Sequence, residues 1–229
     1  MTPIDWTTVE TELDSQGCAV LPALLTPEQC AETAALWDDR ARFRSEVVMA
    51  RHGYGRGAYR YFEHPLPERI AALRSTLYPP LAAIANRWAA VLGAAARFPD
   101  DHETFLARCR EAGQARPTPL LLRYQAGDWN ALHQDVYGDI VFPLQVAILL
   151  SRPGKDFTGG ELVLAEQRPR MQSRAEVVPL AQGDAVIFPV RERPVQGTRG
   201  WHRRQMRHGV SRLRSGLRFT LGIIFHDAR

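Results

Sequence analysis

Tyr124-Gln125-Ala126-Gly127-Asp128-Trp129-Asn130-Ala131-Leu132-His133-Gln134-Asp135 is the stretch on which the fold turns. It reads as a strand ending at Tyr124, a turn through Gly127-Asp128, and an extended segment closing on His133-Gln134-Asp135. In an extended chain residues i and i+2 face one side, so the His133 imidazole and the Asp135 carboxylate point together. Two imidazoles and one carboxylate are the ligand set that holds non-haem Fe(II) and leaves coordination positions open. The second imidazole must come from far away. His208 is the candidate, opening His208-Gly209-Val210 just ahead of the final apolar run. His202 and His226 compete for the role, the first in an arginine-rich segment and the second beside the C-terminus.

From Pro117 onward the apolar pattern has period two. Leu120–Tyr124, Leu144–Leu150, Glu161–Ala165, Ala175–Leu180, Asp184–Phe188 and Leu217–Phe225 read as strands separated by Gly, Pro, Asp or Asn, with a loop over Pro189–Gly200. Many short strands with turn signals predict a double-stranded β-helix, the jelly roll. That architecture lays its second and seventh strands side by side, which would bring His208 to His133 and Asp135. The absence of a thiolate among the three disfavours a structural zinc site.

The N-terminal half reads as helical, so the expected class is α+β, with helices packed on one face of the jelly roll. Ile4, Trp6, Val9 and Leu13 form a helical stripe stopped at Gly17, and Gly17–Leu25 looks like a short buried strand. Thr26-Pro27-Glu28-Gln29 combines an N-cap, a proline at the first helical position and a capping box. Two further helices are expected over Glu68–Thr76 and Leu81–Leu92, broken by Pro79-Pro80, and another over Asp101–Ala112. Residues 44–62 differ in kind. Arg51, Tyr54, Arg56, Tyr59, Arg60 and Tyr61 alternate with Gly53, Gly55 and Gly57, which predicts a mobile basic and aromatic loop or hairpin. The chain divides into a helical support over 1–116 and the jelly roll over 117–229, as one structural unit.

Composition is that of an ordinary globular protein, 45% hydrophobic and 24% charged. No segment approaches a membrane span and the first residues do not resemble a signal peptide, so a cytoplasmic protein is expected. Cys18, Cys30 and Cys109 are widely spaced and read as free thiols. The net charge of +4 is mild, and Lys155 is the single lysine. An arginine-rich surface of this kind is equally consistent with compositional bias and with a phosphate-binding face.

Leu217-Arg218-Phe219-Thr220-Leu221-Gly222 corroborates the iron reading. Leu217, Phe219 and Leu221 share one face of a strand, and Arg218, Thr220 and Gly222 the other. If the second face lines the barrel, its guanidinium is buried and requires an anion of bidentate geometry. A structural carboxylate would satisfy it, and so would a small dicarboxylate, with Tyr124 as a second donor.

Taken in order, H-x-D, Thr158-Gly159-Gly160-Glu161-Leu162, H-G-V, and Arg218 with Thr220 resemble the Fe(II)/2-oxoglutarate-dependent dioxygenases over about residues 117–226. The spacing is similar to the prolyl-hydroxylase-like branch. The wording around Arg123-Tyr124 and His133-Gln134-Asp135 also resembles the AlkB-like demethylases. The whole chain resembles a bacterial oxygenase family inferred to demethylate damaged bases. Two positions depart from the AlkB-like pattern: Leu122 stands where an asparagine is usual, and Ile224 where a second arginine is expected. The resemblance implies Fe(II) on His133, Asp135 and His208, with 2-oxoglutarate held by Arg218, Thr220 and Tyr124. It also implies O2-dependent conversion of that acid to succinate and CO2, coupled to hydroxylation of a substrate C–H bond.

For the substrate, Arg51, Tyr54, Arg56, Tyr59, Arg60 and Asn130 are candidate contacts, with nucleic acid, a prolyl-type protein side chain or a metabolite as the alternatives. Asn130 is equally a turn-capping residue. A non-catalytic jelly-roll sensor of a metal or small acid, and a degenerate interaction domain, are the readings outside enzymology.

Overall fold

A computed structural model describes residues 3–168, 171–198 and 200–229. Asp5 caps the first helix, α1 (Trp6–Ser15), its carboxylate accepting from the Thr7 and Thr8 amides while Val9 and Leu13 turn inward. After β1 (Ala19–Leu21), helix α2 (Pro27–Ala35) begins with the expected box: Thr26 accepts from the Gln29 amide, and Gln29 reaches back to the Thr26 amide.

One expectation for the N-terminal half is narrowed and another corrected. Residues 44–62 take the hairpin alternative and not the mobile loop: β2 (Phe43–Val48) pairs antiparallel with β4 (Ala58–Phe62), with a 3-10 turn over Met49–His52 and the short β3 (Gly55–Arg56) between them. Glycines open the turns, while the tyrosines between them fill a sheet. Nor do Pro79 and Pro80 divide two helices, because a single helix, α3 (Glu68–Val91), runs through them. Ile70, Leu73, Leu77, Leu81, Ile84 and Trp88 continue one buried stripe across the prolines, and that packing outweighs the lost amide hydrogen bonds. The last helix is α4 (His102–Glu111), capped by Asp101.

The remaining strands are β5 (Leu120–Gln125), β6 (Trp129–His133), β7 (Leu144–Leu149), β8 (Phe157–Gly159), β9 (Leu162–Gln167), β10 (Arg174–Val178), β11 (Ala185–Pro189), β12 (Glu192–Gly197), β13 (Gly200–Val210) and β14 (Leu213–Ile224). The expected loop over Pro189–Gly200 is therefore corrected too, since β12 and β13 form an antiparallel hairpin. One sheet runs β1-β11-β7-β14-β5-β4-β2, with β8 against β14; the other runs β10-β9-β13-β6-β3, with β12 against β13.

Period-two alternation divides the large sheet's two faces between two jobs. Leu144, Val146 and Ile148 of β7, Ala185 and Ile187 of β11, and Leu221 and Ile223 of β14 join one core with α3 residues. The alternate residues face the second sheet and line a pocket: Gln145 and Ala147, Phe188, and Arg218, Thr220 and Gly222. The helices thus cover one face, as the class α+β with a jelly-roll core requires. Two buried ion pairs tie the layers: Arg74 on α3 meets Asp227 at 2.7 Å, and Arg193 on β12 meets Glu166 on β9 at 2.5 Å. No described helix is long and apolar enough to cross a membrane. Cys30 and Cys109 are buried and Cys18 partly so, all as free thiols.

Candidate metal centre and its pocket

Strand pairing brings the distant histidine home. His208 on β13 is the direct register partner of His133 on β6. The pairing is irregular between His208 and Val210, and the reason is Gly209. A Cβ there would stand 2.7 Å from the Asn130 carbonyl oxygen and 3.1 Å from that of Ala131. Glycine lets the two strands close at that point.

One ligand atom from each of His133, Asp135 and His208 lies within 4.8 Å of the others. His208 Nε2 is 3.1 Å from Asp135 Oδ2, His133 Nε2 is 3.5 Å from Asp135 Oδ1, and the two imidazole rings sit 4.2 Å apart. His133 Nδ1 donates to the Ala131 carbonyl at 2.7 Å, which leaves Nε2, the nitrogen facing the carboxylate, as the one for a metal. Gln134, between the two ligands, points the other way. Its amide donates to the Met206 carbonyl at 2.8 Å and the Arg191 carbonyl at 3.1 Å, stapling the end of β6 to the hairpin.

Electrostatics favour a cation. Burial opposes the charge on Asp135, but the His208 and His133 imidazoles outweigh it and hold the carboxyl well below its usual range. Burial also pushes His208 down, keeping it neutral, with the Asp135 charge acting against this. At His133 burial is overcome by the Asp135 hydrogen bond and charge, so the shift is upward. A carboxylate and two imidazoles converging without a thiolate suit Fe(II), and the clustering of these groups, His208 buried and the other two partly so, fits the metal.

Tyr137 was not anticipated by the sequence reading. Its hydroxyl donates to Asp135 Oδ1 at 2.6 Å, leaving Oδ2 for a metal, and burial beside that carboxylate pushes the phenol well above its ordinary range. Its place two residues beyond the H-x-D motif, on the same side of an extended segment, was the available signal.

The triad stands in a cavity of about 620 Å³ whose other end holds Arg218, Thr220 and Tyr124. Arg218 and Tyr124 are direct cross-strand partners, and the Arg218 guanidinium carbon lies 5.6 Å from the centre of the tyrosine ring. Arg218 is 2% exposed. Its Nη1 donates to Thr220 Oγ1 at 2.6 Å, Nε has no partner, and no carboxylate within ion-pair distance is found among the described residues. Burial holds its pKa down to about 10. The alternative of a structural carboxylate partner therefore finds no support. Behind it, Gly160 carries φ +67°, and a Cβ there would lie 2.3 Å from Leu213 Cδ1 and 3.2 Å from Arg218 Cδ, so Gly160 makes room for the leucine and the arginine stem together.

The other candidates separate. Tyr54, Tyr59 and Asn130 line the cavity, and the Asn130 amide reaches the Tyr124 hydroxyl at 3.3 Å. Tyr54, half exposed, stacks on His52 with ring centres 5.3 Å apart. Arg51 and Arg56 are exposed near the mouth, Arg56 at 4.0 Å from Asp128. Arg60 is elsewhere. It is buried against Glu46 at 2.9 Å and over the Trp37 ring, so it serves the sheet. His226 is also excluded as a ligand: it is fully buried, and its Nδ1 accepts from the Phe142 amide. His202 lies on β13, where its Nε2 faces Arg204.

The arginine-rich segment is partly self-neutralised. Arg193, Arg204 and Arg168 converge on Glu166, and Arg203 lies 3.0 Å from Glu192. Arg199 falls outside the described residues. Arg207, Arg212 and Arg214 are exposed and form no ion pair among those described.

A jelly roll with such a triad at one end of a cavity and a buried cation at the other is the arrangement that an Fe(II)/2-oxoglutarate-dependent dioxygenase requires. More narrowly, the chain belongs to the Oxygenase-NA family, whose model matches residues 57–228 and is described as an oxygenase catalysing oxidative methylation of damaged DNA. An uncharacterized protein of Mycobacterium tuberculosis, found in strains CDC 1551 and H37Rv, is 52% identical over 173 residues, which is 76% of this chain and 74% of the relative. Among solved structures, the fold is shared with a Burkholderia pseudomallei oxidoreductase of the 2OG-Fe(II) oxygenase family (TM-score 0.57, 17% identity, 99% and 94% of the two chains). It is also shared with a Pseudomonas putida prolyl-4-hydroxylase (TM-score 0.54, 14% identity, 98% and 99%). A Trichoplax adhaerens prolyl hydroxylase, solved with a peptide of hypoxia inducible factor, is similar as well (TM-score 0.55, 13% identity, 97% and 89%).

Proposed function

We propose that His133, Asp135 and His208 hold Fe(II), that Arg218 with Thr220 and Tyr124 grips the distal carboxylate of 2-oxoglutarate, and that the substrate is an alkylated base in a nucleic acid. The observation carrying this reading is the two-ended cavity, with an imidazole and carboxylate cluster at one end and a buried guanidinium without a carboxylate at the other. With Fe(II), 2-oxoglutarate and O2 bound, the site supplies an oxidant able to insert oxygen into a C–H bond, yielding succinate and CO2. The chain's own part is to orient and to keep dry. Ala131 fixes the His133 tautomer, Tyr137 fixes Asp135, and the apolar walls from Leu120, Leu122, Leu162 and Leu180 exclude water.

The mouth favours a planar aromatic substrate with an anionic tether. The stacked His52–Tyr54 pair and the exposed Leu132 and Val136 offer apolar faces, with Arg51 and Arg56 beside them. A base turned into the slot would stack there while its phosphates met the arginines. Hydroxylation of an N-methyl group gives a hemiaminal that collapses to formaldehyde and the demethylated base.

The test incubates the protein with Fe(II), 2-oxoglutarate, O2 and an N-methylated single-stranded oligonucleotide. Stoichiometric succinate and formaldehyde, lost in His208→Ala, are expected. Succinate formation stimulated only by a proline-containing peptide would overturn the nucleic-acid part, and no succinate under any condition would overturn the whole.

A further inference from the structure

Gln145 is the one polar side chain in β7, Leu-Gln-Val-Ala-Ile-Leu, and its place in an uninterrupted apolar strand calls for a reason. It is 3% exposed, lies in the wall of the triad's cavity, and its Nε2 has no hydrogen-bond partner. Its flanking register partners are apolar: Phe188 on β11 and Ile224 on β14. A buried amide donor left unsatisfied costs about 1–3 kcal/mol, whereas leucine at the same place would cost nothing of the kind. The donor therefore has meaning only toward something that enters the cavity.

Register says which end it serves. Thr220, the neighbour of the Arg218 guanidinium, and Ile224, the partner of Gln145, stand four residues apart on β14, about 13 Å along the strand. The Phe188 ring, beside Gln145, is 4.9 Å from the His208 ring. Gln145 thus stands at the metal end, opposite the arginine end. A five-carbon diacid whose far carboxylate is on Arg218 brings its other carboxylate and keto oxygen to that end. There the flanking Phe188 and Ile224 side chains offer no hydrogen bond, and the Gln145 amide is an unpaired donor.

We infer that Gln145 is a second anchor of the dicarboxylate cosubstrate, donating from Nε2 to an oxygen at the end of the acid that meets the metal. This rests on the proposed function above. A donor there holds the acid in one orientation about its long axis, which a single arginine at the far end does not.

The test is calorimetric titration of the anaerobic, Mn(II)-loaded protein with 2-oxoglutarate, comparing wild type, Gln145→Leu and Gln145→Glu, with thermal unfolding as a check on the fold. Gln145→Leu should weaken 2-oxoglutarate about tenfold or more, since hydrogen bonds to charged groups are the strong ones, while unfolding at the same or a higher temperature in the absence of acid. Gln145→Glu should weaken it further by repulsion. Equal affinity in a folded Gln145→Leu protein overturns the inference, as does a loss confined to oligonucleotide binding, which would assign the amide to the substrate. Absence of 2-oxoglutarate binding by the wild type would instead overturn the proposed function, so the two failures are distinguishable.

Discussion

Arg218→Met is the substitution that best separates a binding arginine from a structural one. A guanidinium whose pKa burial pushes down to about 10 is disfavoured by roughly 3 kcal/mol relative to water, at about 1.4 kcal/mol for each tenfold. The sign follows from protonation. The folded pKa lies below the unfolded one, so the group opposes folding in full at any pH below about 10, neutral pH included. Part of that cost is returned by the Thr220 hydrogen bond and by the Tyr124 and Phe157 rings, 5.6 and 5.8 Å from the guanidinium carbon. Methionine removes the charge and refills much of the volume, so the variant without ligands should be as stable as wild type or more stable by about 1–2 kcal/mol.

Ligand linkage runs the opposite way. At a hundredfold excess over its Kd, 2-oxoglutarate should stabilise the Mn(II)-loaded wild type by about 2.7 kcal/mol, or roughly 5–10 °C for a domain of this size. In Arg218→Met that shift should vanish. Thermal unfolding of both proteins, with and without the acid, measures both quantities. A variant that loses more than about 2 kcal/mol without ligand, yet keeps the 2-oxoglutarate shift, would refute the assignment and make Arg218 a fold residue.

Tyr137→Phe deletes the 2.6 Å bond to Asp135 and should lower metal affinity about tenfold, measured by Mn(II) titration, with little change in unfolding temperature. Gly209→Ala drives a methyl into the Asn130 carbonyl and should cost about 1–3 kcal/mol in urea unfolding while also weakening Mn(II), because β6 carries His133. His102 and His226 are buried as neutral rings, each pushed down to about 4 by burial and by the nearby Arg74. The unfolded chain therefore binds more protons below pH 6.5, so stability should be full above that pH and fall steadily toward pH 4. A urea midpoint unchanged between pH 7 and pH 5 would contradict this.

Much of the site was legible because its signals are short-range. The same-side spacing of His133 and Asp135 and the alternation that turns Arg218 and Thr220 inward are properties of any strand. What escaped depends on tertiary context. Pro79-Pro80 read as a break because proline forfeits an amide bond, yet the buried stripe from Ile70 to Trp88 holds α3 together. The glycines of residues 44–62 suggested mobility, while pairing of β4 with β5 fixes that segment in the sheet. Arg60 looked like part of a basic surface because charge says nothing of direction, and only the Glu46 partner shows it facing in. Gln145 was visible in sequence as a polar residue in an apolar run, but its lack of a partner could be seen only in three dimensions.

The same distinction sets how strongly salt should act on nucleic-acid binding. Counted by sequence, the arginines from Arg191 to Arg214 promise a long phosphate track. Among the described residues, Arg191, Arg193, Arg203 and Arg204 already face Glu166 or Glu192, leaving Arg207, Arg212 and Arg214, with Arg51 and Arg56 at the mouth. Their spread over the 3-10 turn, β3, β13 and the start of β14 lets only some meet one strand. At about 0.7 counterions released per phosphate contact, two to four contacts predict a slope of roughly −1.5 to −3 for log K against log salt with single-stranded DNA. Stacking on Tyr54 would supply the remaining affinity and persist at high salt. Tyr54→Ala should then weaken binding without altering the slope, and Arg51→Ala should make the slope shallower. A slope steeper than about −5 would require the Glu166 and Glu192 ion pairs to open, and would overturn the reading that aromatic contact leads recognition at this mouth.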